Sequence, residues 1–477
     1  MLVDFAQKPN LGLYDLCIVG AGPAGITLAL EMASVGWKIA LLEGGGLEYS
    51  DRSQRLYAAL GTQTLWAGST RLRYFGGTSN HWSGRCRPFD SADFDRPPPG
   101  QVPGWPIRYM EIARYLPSAM QILDLPAEGF AALNEGFEDG QFAADSFALS
   151  APTRFGSKYI GTLRQLPNVD LVINCNCVGL KFDAATRQIS GVQAVDYSGG
   201  RADIRARRYV LAAGGIENPR ILLASENLVA RGVGGRMVGR CFMEHLNVEL
   251  GEFICADSER IGSRQYYTSE EFVRSHRVGS GNVSFNLIDQ IRSYGRTAPA
   301  KSFLKKLSCD LGLAEKVQFI STFTCPGTGL ITTLLEQAPM VDGSRVTLSR
   351  TTDEIGMRKA QVDWGLSEED RRSIRTIGIE VAKSFARSQL GLVKLRDYIL
   401  DPRRVIPVSP HAHHMGSTRM AHSAEWGVVD ADCRVFGTAN LYIAGSSIFS
   451  TGGGCNPTMP IVQFALRLAD HLKTRTA

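Results

Sequence analysis

Residues 14–43 run Tyr14-Asp15-Leu16-Cys17-Ile18-Val19-Gly20-Ala21-Gly22-Pro23-Ala24-Gly25, continue through Ile26 to Trp37, and close on Lys38-Ile39-Ala40-Leu41-Leu42-Glu43. The run from Tyr14 to Val19 is short and apolar, as suits a parallel strand buried on both faces. Gly20, Gly22 and Gly25 stand in G-x-G-x-x-G spacing, with Ala24 in the same turn. Gly20 permits the tight turn, Gly22 lets backbone approach a pyrophosphate, and Gly25 lets helix and strand pack closely. Ile26, Ala29, Leu30 and Ala33 then recur at helical spacing. The N-terminus of that helix offers free N–H groups and a positive dipole end to phosphates. Glu43 lies 23 residues after Gly20 and can accept from ribose hydroxyls. Strand, glycine turn, helix, strand and acid are in register, which predicts a dinucleotide-binding unit in an α/β fold.

The chain around it has 477 residues, room for two or three domains or for one large α/β domain with a second lobe. Its net charge of +5 is small for that size and gives no case for nucleic acid as a partner. The basic segment Arg201–Arg208 reads as a solvated strand edge. Ten cysteines are scattered without a C-x-x-C pair, so no zinc or iron–sulfur site is expected and reduced thiols are. Glu31 and Lys38 interrupt the most apolar window, Ile26 to Leu42, so no membrane span is expected. With no signal-peptide pattern at the start, the expected location is cytoplasmic.

Two features favour FAD over NAD. Glu43 is followed by Gly44-Gly45-Gly46, similar to the E-x-G pattern of FAD enzymes. The strand-like Arg208 to Leu211 ends in Ala212-Ala213-Gly214-Gly215, resembling the strand that passes the dinucleotide in flavoproteins, so Ala213 and Gly214 join the candidate cofactor residues. No second G-x-G-x-x-G appears, so a flavin reduced directly by its substrate is expected.

Tyr74-Phe75-Gly76-Gly77-Thr78-Ser79-Asn80-His81-Trp82-Ser83-Gly84 is a second glycine-rich loop. Its glycines allow backbone close to a flat ring, and Thr78, Ser79 and Asn80 offer hydrogen bonds. This loop resembles the second flavin motif of the glucose–methanol–choline (GMC) oxidoreductases, within them the pyranose 2-oxidase branch and bacterial sugar and glycoside oxidases. The resemblance implies cofactor contacts from Gly76, Gly77, Thr78, Asn80, His81 and Trp82. It also implies that His81 is covalently linked to the flavin 8α-methyl group or packed beside the dimethylbenzene ring, with a purely structural role as the third reading.

The resemblance gives a fold as well. It implies a Rossmann-like, doubly wound FAD-binding domain over residues 1–245, an inserted sheet-and-helix substrate lobe over residues 246–410, and a C-terminal return over residues 411–477. Val178 would lie against the adenine. Arg240–His245 would be the hinge by which the chain leaves the flavin domain. Ile107–Leu123, Ile216–Leu228 and Ser367–Ser388 read as helices, the last with Ser367 as N-cap and acids in its first turn. Val192–Tyr197 with Asp203–Leu211 reads as a hairpin. Pro97–Gly100 with Pro103 reads as a loop. Asn247–Ile254, Val283–Leu287, Val317–Phe323, Arg345–Leu348 and Gln361–Trp364 read as strands of one sheet that roofs the flavin.

The chemistry is concentrated near the C-terminus. Four of the eight histidines fall between 411 and 422, and Gly454-Cys455-Asn456-Pro457-Thr458 follows. Oxidising an alcohol requires removal of the hydroxyl proton while a hydride leaves the carbinol carbon. A neutral imidazole suits the first task, and an Asn amide can hold the oxygen. The family resemblance places the base on His413 and its partner on Asn456. His414 and His411 are the rivals. In an extended segment His411 and His413 share one face and His414 takes the other. A metal site is disfavoured because no acid or Cys is near in sequence. Asn456 before Pro457 also fits a helix N-cap. The helix from Pro457 would aim its positive end at the flavin, bringing in Thr458. Asp432, Asn440 and Ala444-Gly445-Ser446 resemble the strand and turn that close over the ribityl chain.

The expected reaction is therefore FAD-dependent oxidation of an alcohol, most directly a secondary hydroxyl of a sugar or glycoside to a ketone. A primary or non-sugar alcohol, and a non-redox lyase retaining FAD, are the alternatives. Dioxygen, a quinone or a carrier protein would reoxidise the flavin.

Overall fold

The computed structural model describes residues 1–7, 11–62, 68–95, 102–127, 129–130, 137, 139–144, 147–151, 153–225, 228–255, 261, 265–287 and 327–474. The expected loop at Pro97–Gly100, the expected strand Val317–Phe323, and Cys309 and Cys325 lie outside the described residues.

Tyr14–Val19 is the strand that the apolar run predicts, and Pro23–Ala33 the helix. The strand sits inside a six-stranded parallel sheet ordered Leu2–Asp4, Val169–Ile173, Ile39–Leu42, Tyr14–Val19, Ala206–Leu211, Leu441–Ile443. Leu16, Ile18, Ile39, Leu41, Val210 and Ile443 are fully buried, which explains the unbroken apolar runs. The chain runs outward from Tyr14–Val19 to Ile39–Leu42 on one side and much later to Ala206–Leu211 on the other. The crevice at their carboxyl ends is therefore a topological switch point, where α/β sheets bind ligands. The Pro23–Ala33 helix packs on the last helix, Thr458–Lys473.

A second sheet is antiparallel: Gly391–Leu395, His245–Cys255, Thr328–Glu336, Gly281–Leu287, Gln265–Thr268, Phe142–Ala144, with Ser409–Pro410 also paired to the His245–Cys255 strand. The Glu368–Arg387 helix covers it with Ile374, Ile377, Val381 and Phe385, against Leu246, Val248 and Phe285. Its start is a capping box: Asp370 N–H donates to Ser367 Oγ, and Ser367 N–H donates to the Asp370 carboxylate.

Four expectations about elements are corrected. Arg345–Thr352 and Arg358–Asp363 do not join the roofing sheet; they pair with each other and with Leu60–Gly61. Ile107–Leu123 is not one helix but two short ones, Met110–Ala113 and Leu116–Ile122, the second opening on Leu116-Pro117, where a proline lacks the N–H to continue the first. Asp203–Leu211 divides, because Arg201–Ile204 pairs back on Gln188–Val195 while Ala206–Leu211 enters the parallel sheet. The expected Ile216–Leu228 helix is displaced to Gly214–Ala224.

Candidate active site

One cavity joins the glycine turn, the second glycine-rich loop and the histidine segment; its empty volume, mouth included, is about 1780 Å³. At one end Gly20 takes φ +108°, and a Cβ there would lie 2.6 Å from Ala212 O. A Cβ on Gly25 would lie 1.9 Å from Gly20 O, so no larger residue fits between helix and strand. Gly22, Gly214 and Gly445 also line the cavity, and a Cβ on any of them would meet nothing within 4 Å. These three positions leave bare backbone facing open space. The Pro23–Ala33 helix begins there, with N-cap Gly22 and no side-chain cap, so its first N–H groups remain available to an anion. This cradle fits a dinucleotide pyrophosphate.

Glu43 lines the same end and is buried. Its Oε1 accepts from Gly45 N–H (2.9 Å) and its Oε2 from Ala21 N–H (3.2 Å). Burial pushes its carboxyl above the ordinary range, opposed by those backbone bonds and by Arg73. Residues the sequence reading passed over also line this region: Tyr57, Thr70–Arg73, Cys175, Cys177 and Glu217. The Arg71-Leu72-Arg73 pair just ahead of a glycine loop was the available signal. Arg71 is tied down by Glu217 (2.8 Å), which also meets Arg220 (3.0 Å), and Arg220 meets Asp353 (2.5 Å).

Gly77, Thr78, His81 and Trp82 line the cavity from the second loop, a 3₁₀ turn over Gly77–Asn80. His81 is exposed; partial desolvation and Arg154 hold its imidazole below the usual value. Ala24, Ala213, Ser446 and Thr458 are also in the lining. The Thr458–Lys473 helix has no side-chain cap, and Pro457, Thr458 and Ile461 present its first turn to the cavity.

Several predicted residues fall elsewhere. Gly25 and Gly76 shape the turns without lining the cavity, and Gly76 (φ +91°) has no room for a Cβ against Gly156 N at 2.5 Å. Asn80 turns away, donating from Nδ2 to Phe75 O (2.9 Å). Val178 packs against the hydrophobic core; Cys177 and Cys175 line the cavity instead. Asn440 is engaged by Ile189 and Arg207 backbone, and Asp432 by His471 and Arg467. Neither lines the cavity. Asn456 is not the N-cap, because the helix starts at Thr458 with Pro457 as cap; Asn456 lines the cavity and its amide makes no hydrogen bond among the described residues.

The histidine segment is not a regular extended strand: Ala412 takes φ +60°. His411 and His413 still face each other, ring centroids 4.9 Å apart, and both line the cavity. Met243 and Met415 exchange backbone hydrogen bonds (2.9 Å each), and Ser409–Pro410 pairs with Leu246–Asn247. This pairing lays Arg240–His245 directly against the histidines. It puts an acid beside them after all. Glu244 is fully buried, and its Oε2 accepts from His413 N–H (2.8 Å) and His411 N–H (3.3 Å). Its Oε1 lies 3.2 Å from His414 Nε2 with no aligned donor. His414 Nε2 also lies 3.5 Å from Thr70 Oγ1. Burial pushes the Glu244 carboxyl up to about 8 and the His414 imidazole down to about 3. Among the described residues no group of three or more His, Cys, Asp or Glu could hold a metal ion.

Glu244 sets a pH dependence. Below about pH 4.5 it is protonated in folded and unfolded chains alike. From there to about pH 8 only the unfolded chain ionises, so stability falls as pH rises. Each pH unit in that window removes up to about 1.4 kcal/mol. Glu244→Gln keeps the shape and the acceptor but has no proton to lose. The variant is expected to melt near wild type at acid pH and above it beyond the window. Parallel melting curves for the two proteins across that range would refute the assignment.

His413 lines the cavity; burial, then His245, His411 and His414, push its imidazole well below the usual value. Its Nδ1 lies 2.7 Å from His245 Nδ1, and its Nε2 makes no hydrogen bond among the described residues. His245, unremarked in the sequence except within the hinge, is buried. No local spacing announces it, since 168 residues separate the two rings.

Comparison with known proteins fits this geometry. The family profile described as GMC oxidoreductase matches residues 341–465, which hold the histidine segment and Asn456. The profile described as FAD dependent oxidoreductase matches residues 15–250, which hold both glycine-rich loops. The chain is 23% identical to a 2-methyl-1,2-propanediol dehydrogenase of Mycolicibacterium austroafricanum, over 97% of this chain and 95% of that one. It is 26% identical to a C-glycoside 3-oxidase of Microbacterium trichothecenolyticum, over 59% of this chain and 50% of that one. The solved pyridoxine 4-oxidase from Mesorbium loti shares the fold at TM-score 0.59 and 18% identity, covering 97% of this chain and 100% of its own. No helix among the described residues is long and apolar enough to cross a membrane. The two profiles meet on one cavity, and the chain is an oxidoreductase with FAD as its cofactor, carrying an FAD-dependent oxidoreductase domain over residues 15–250 and a GMC oxidoreductase domain over residues 341–465.

Proposed function

We propose that the protein oxidises a secondary hydroxyl of a sugar or glycoside to a ketone, with His413 as general base and Asn456 as holder of the substrate oxygen. The observation that carries this reading is the unbonded Nε2 of His413 in the cofactor cavity, with the unbonded Asn456 amide lining the same cavity. Bound FAD supplies the acceptor for the two electrons and hydrogen that leave the carbinol carbon. His413 takes the hydroxyl proton at Nε2, so the O–H bond breaks as an Nε2–H bond forms and the oxygen is left to form the carbonyl. The Asn456 amide donates to that oxygen and carries no lone-pair nitrogen to compete for the proton. His414 is less suited: its Nε2 faces Glu244, and it is buried. His411 is exposed, and its imidazole contact is with His413 itself and not with buried His245.

Gly77, Thr78, His81 and Trp82 from the second loop, with Ala213, Gly214, Gly445 and Ser446, would hold the cofactor. The inserted lobe 246–410 would set substrate choice. Dioxygen, a quinone or a carrier protein would complete the cycle.

The C-glycoside 3-oxidase relative supports the sugar reading. The 2-methyl-1,2-propanediol dehydrogenase relative, alike over nearly its whole length, supports a second one, a small non-sugar diol. Anaerobic mixing with sugars, glycosides and simple diols separates them by loss of the oxidised-flavin absorbance band. Bleaching by sugars or glycosides is the expected result. Bleaching by diols alone would replace the sugar reading with the second. Absence of bleaching by any alcohol would remove alcohol oxidation itself.

A further inference from the structure

The contact between His245 and His413 fixes where their protons lie. His245 Nε2 is 2.8 Å from Gly453 O, and a carbonyl oxygen can only accept, so His245 carries its proton on Nε2. Burial pushes the His245 imidazole down to about 4, so the ring is neutral and holds one proton. Its Nδ1 is then a bare lone pair. That lone pair faces His413 Nδ1 at 2.7 Å, so the proton between them belongs to His413 Nδ1. A neutral His413 protonated on Nδ1 has its lone pair on Nε2, the nitrogen without a hydrogen bond. The rings meet edge to face, at 87°, which suits one in-plane N–H aimed at one in-plane lone pair. The acceptor at the far end is itself held: Gly453 N–H donates to Glu336 Oε2 at 2.9 Å.

We propose that His245 is a positioning residue that locks His413 in the tautomer whose Nε2 is free to take the substrate proton. The proposal rests on the reading of His413 as base. It adds what that reading does not supply, the reason one nitrogen and not the other is basic. A partner on the second ring nitrogen decides the tautomer of the first. After proton capture both His413 nitrogens bear hydrogen, and the Nδ1–H to His245 bond remains, so the cation is held without reorganisation. An imidazole does here what a carboxylate does behind the histidine of a serine-protease triad, without bringing a charge.

Two measurements test it. In the holoenzyme labelled with ¹⁵N-histidine, ring-nitrogen spectra are expected to show His413 protonated on Nδ1 and bare on Nε2, with peaks assigned by their loss in His413→Gln. A proton on Nε2 of His413 would overturn the proposal without any measurement of turnover. Next, His245→Phe removes the acceptor, and anaerobic flavin reduction at saturating substrate is expected to fall about 100-fold. His245→Asp restores an acceptor that cannot donate. It is expected to recover most of the rate and to move the acidic limb of the pH profile upward, because a carboxylate stabilises the His413 cation. A merely space-filling His245 predicts neither the recovery nor the pH shift, and their absence would refute the lock. Failure of the base reading looks different: His413→Ala would then reduce FAD at the wild-type rate while the resting tautomer remained as stated.

Discussion

Replacing His413 with alanine is expected to slow anaerobic reduction of the bound FAD by roughly 10³-fold, with FAD content unchanged. That is about 4 kcal/mol of lost transition-state stabilisation. The effect should fall on the rate at saturating substrate, because the imidazole acts on a proton that moves only in the reaction. FAD should stay, because the glycine cradle of Gly20, Gly22, Gly214 and Gly445 is built from other segments of the chain. Removing the ring leaves His245 Nδ1 without its donor, but the site opens on the cavity, where water can replace it. His414→Ala is the comparison. Its ring stacks on Phe242 with centroids 5.8 Å apart and meets Glu244, so its loss should show first in stability. Reduction of the His413 variant within a few-fold of wild type would remove His413 as the base.

A second large effect is expected far from the reacting atoms. Arg220 is buried with Glu217 and Asp353, and its Nε also donates to Arg358 O (2.8 Å). Desolvation works against the guanidinium, and the two carboxylates outweigh it, holding it above its ordinary value. Arg220→Met fills similar space but leaves Asp353 with no cation in this cluster. Breaking a buried ion pair from one side typically costs about 3–5 kcal/mol. The melting temperature should drop by at least about 5 °C. FAD should also be released earlier on heating, since Arg71 and Glu217 of the same network line the cavity. A melting temperature within about 1 °C of wild type would mean that the network contributes little.

The inaccuracies of the sequence reading share a cause. Asn80 and Val178 are sequence neighbours of cavity-lining Ser79, His81 and Cys177, but whether each faces the cavity depends on packing. Asn80 satisfies Phe75 O, and Val178 meets the hydrophobic core. Asn440 and Asp432 are polar residues near a cofactor strand, yet buried backbone and a helix-borne arginine claim them first. Arg345–Thr352 and Arg358–Asp363 read correctly as strands and wrongly as members of the roof, because a strand's own pattern does not name its partner.

Short-range rules were enough for the parallel-sheet dinucleotide unit, for the capped Glu368–Arg387 helix and for singling out 411–414 and 456, which line one cavity. Glycine at fixed spacing, apolar periodicity, and a serine followed three residues later by an acid are all legible along the chain. Nothing along the chain places Glu244 and His245 under the histidines. The antiparallel contact of Met243 with Met415 does that, joining residues 172 positions apart. Such pairing has no local period to read, and it sets which His413 nitrogen carries the proton.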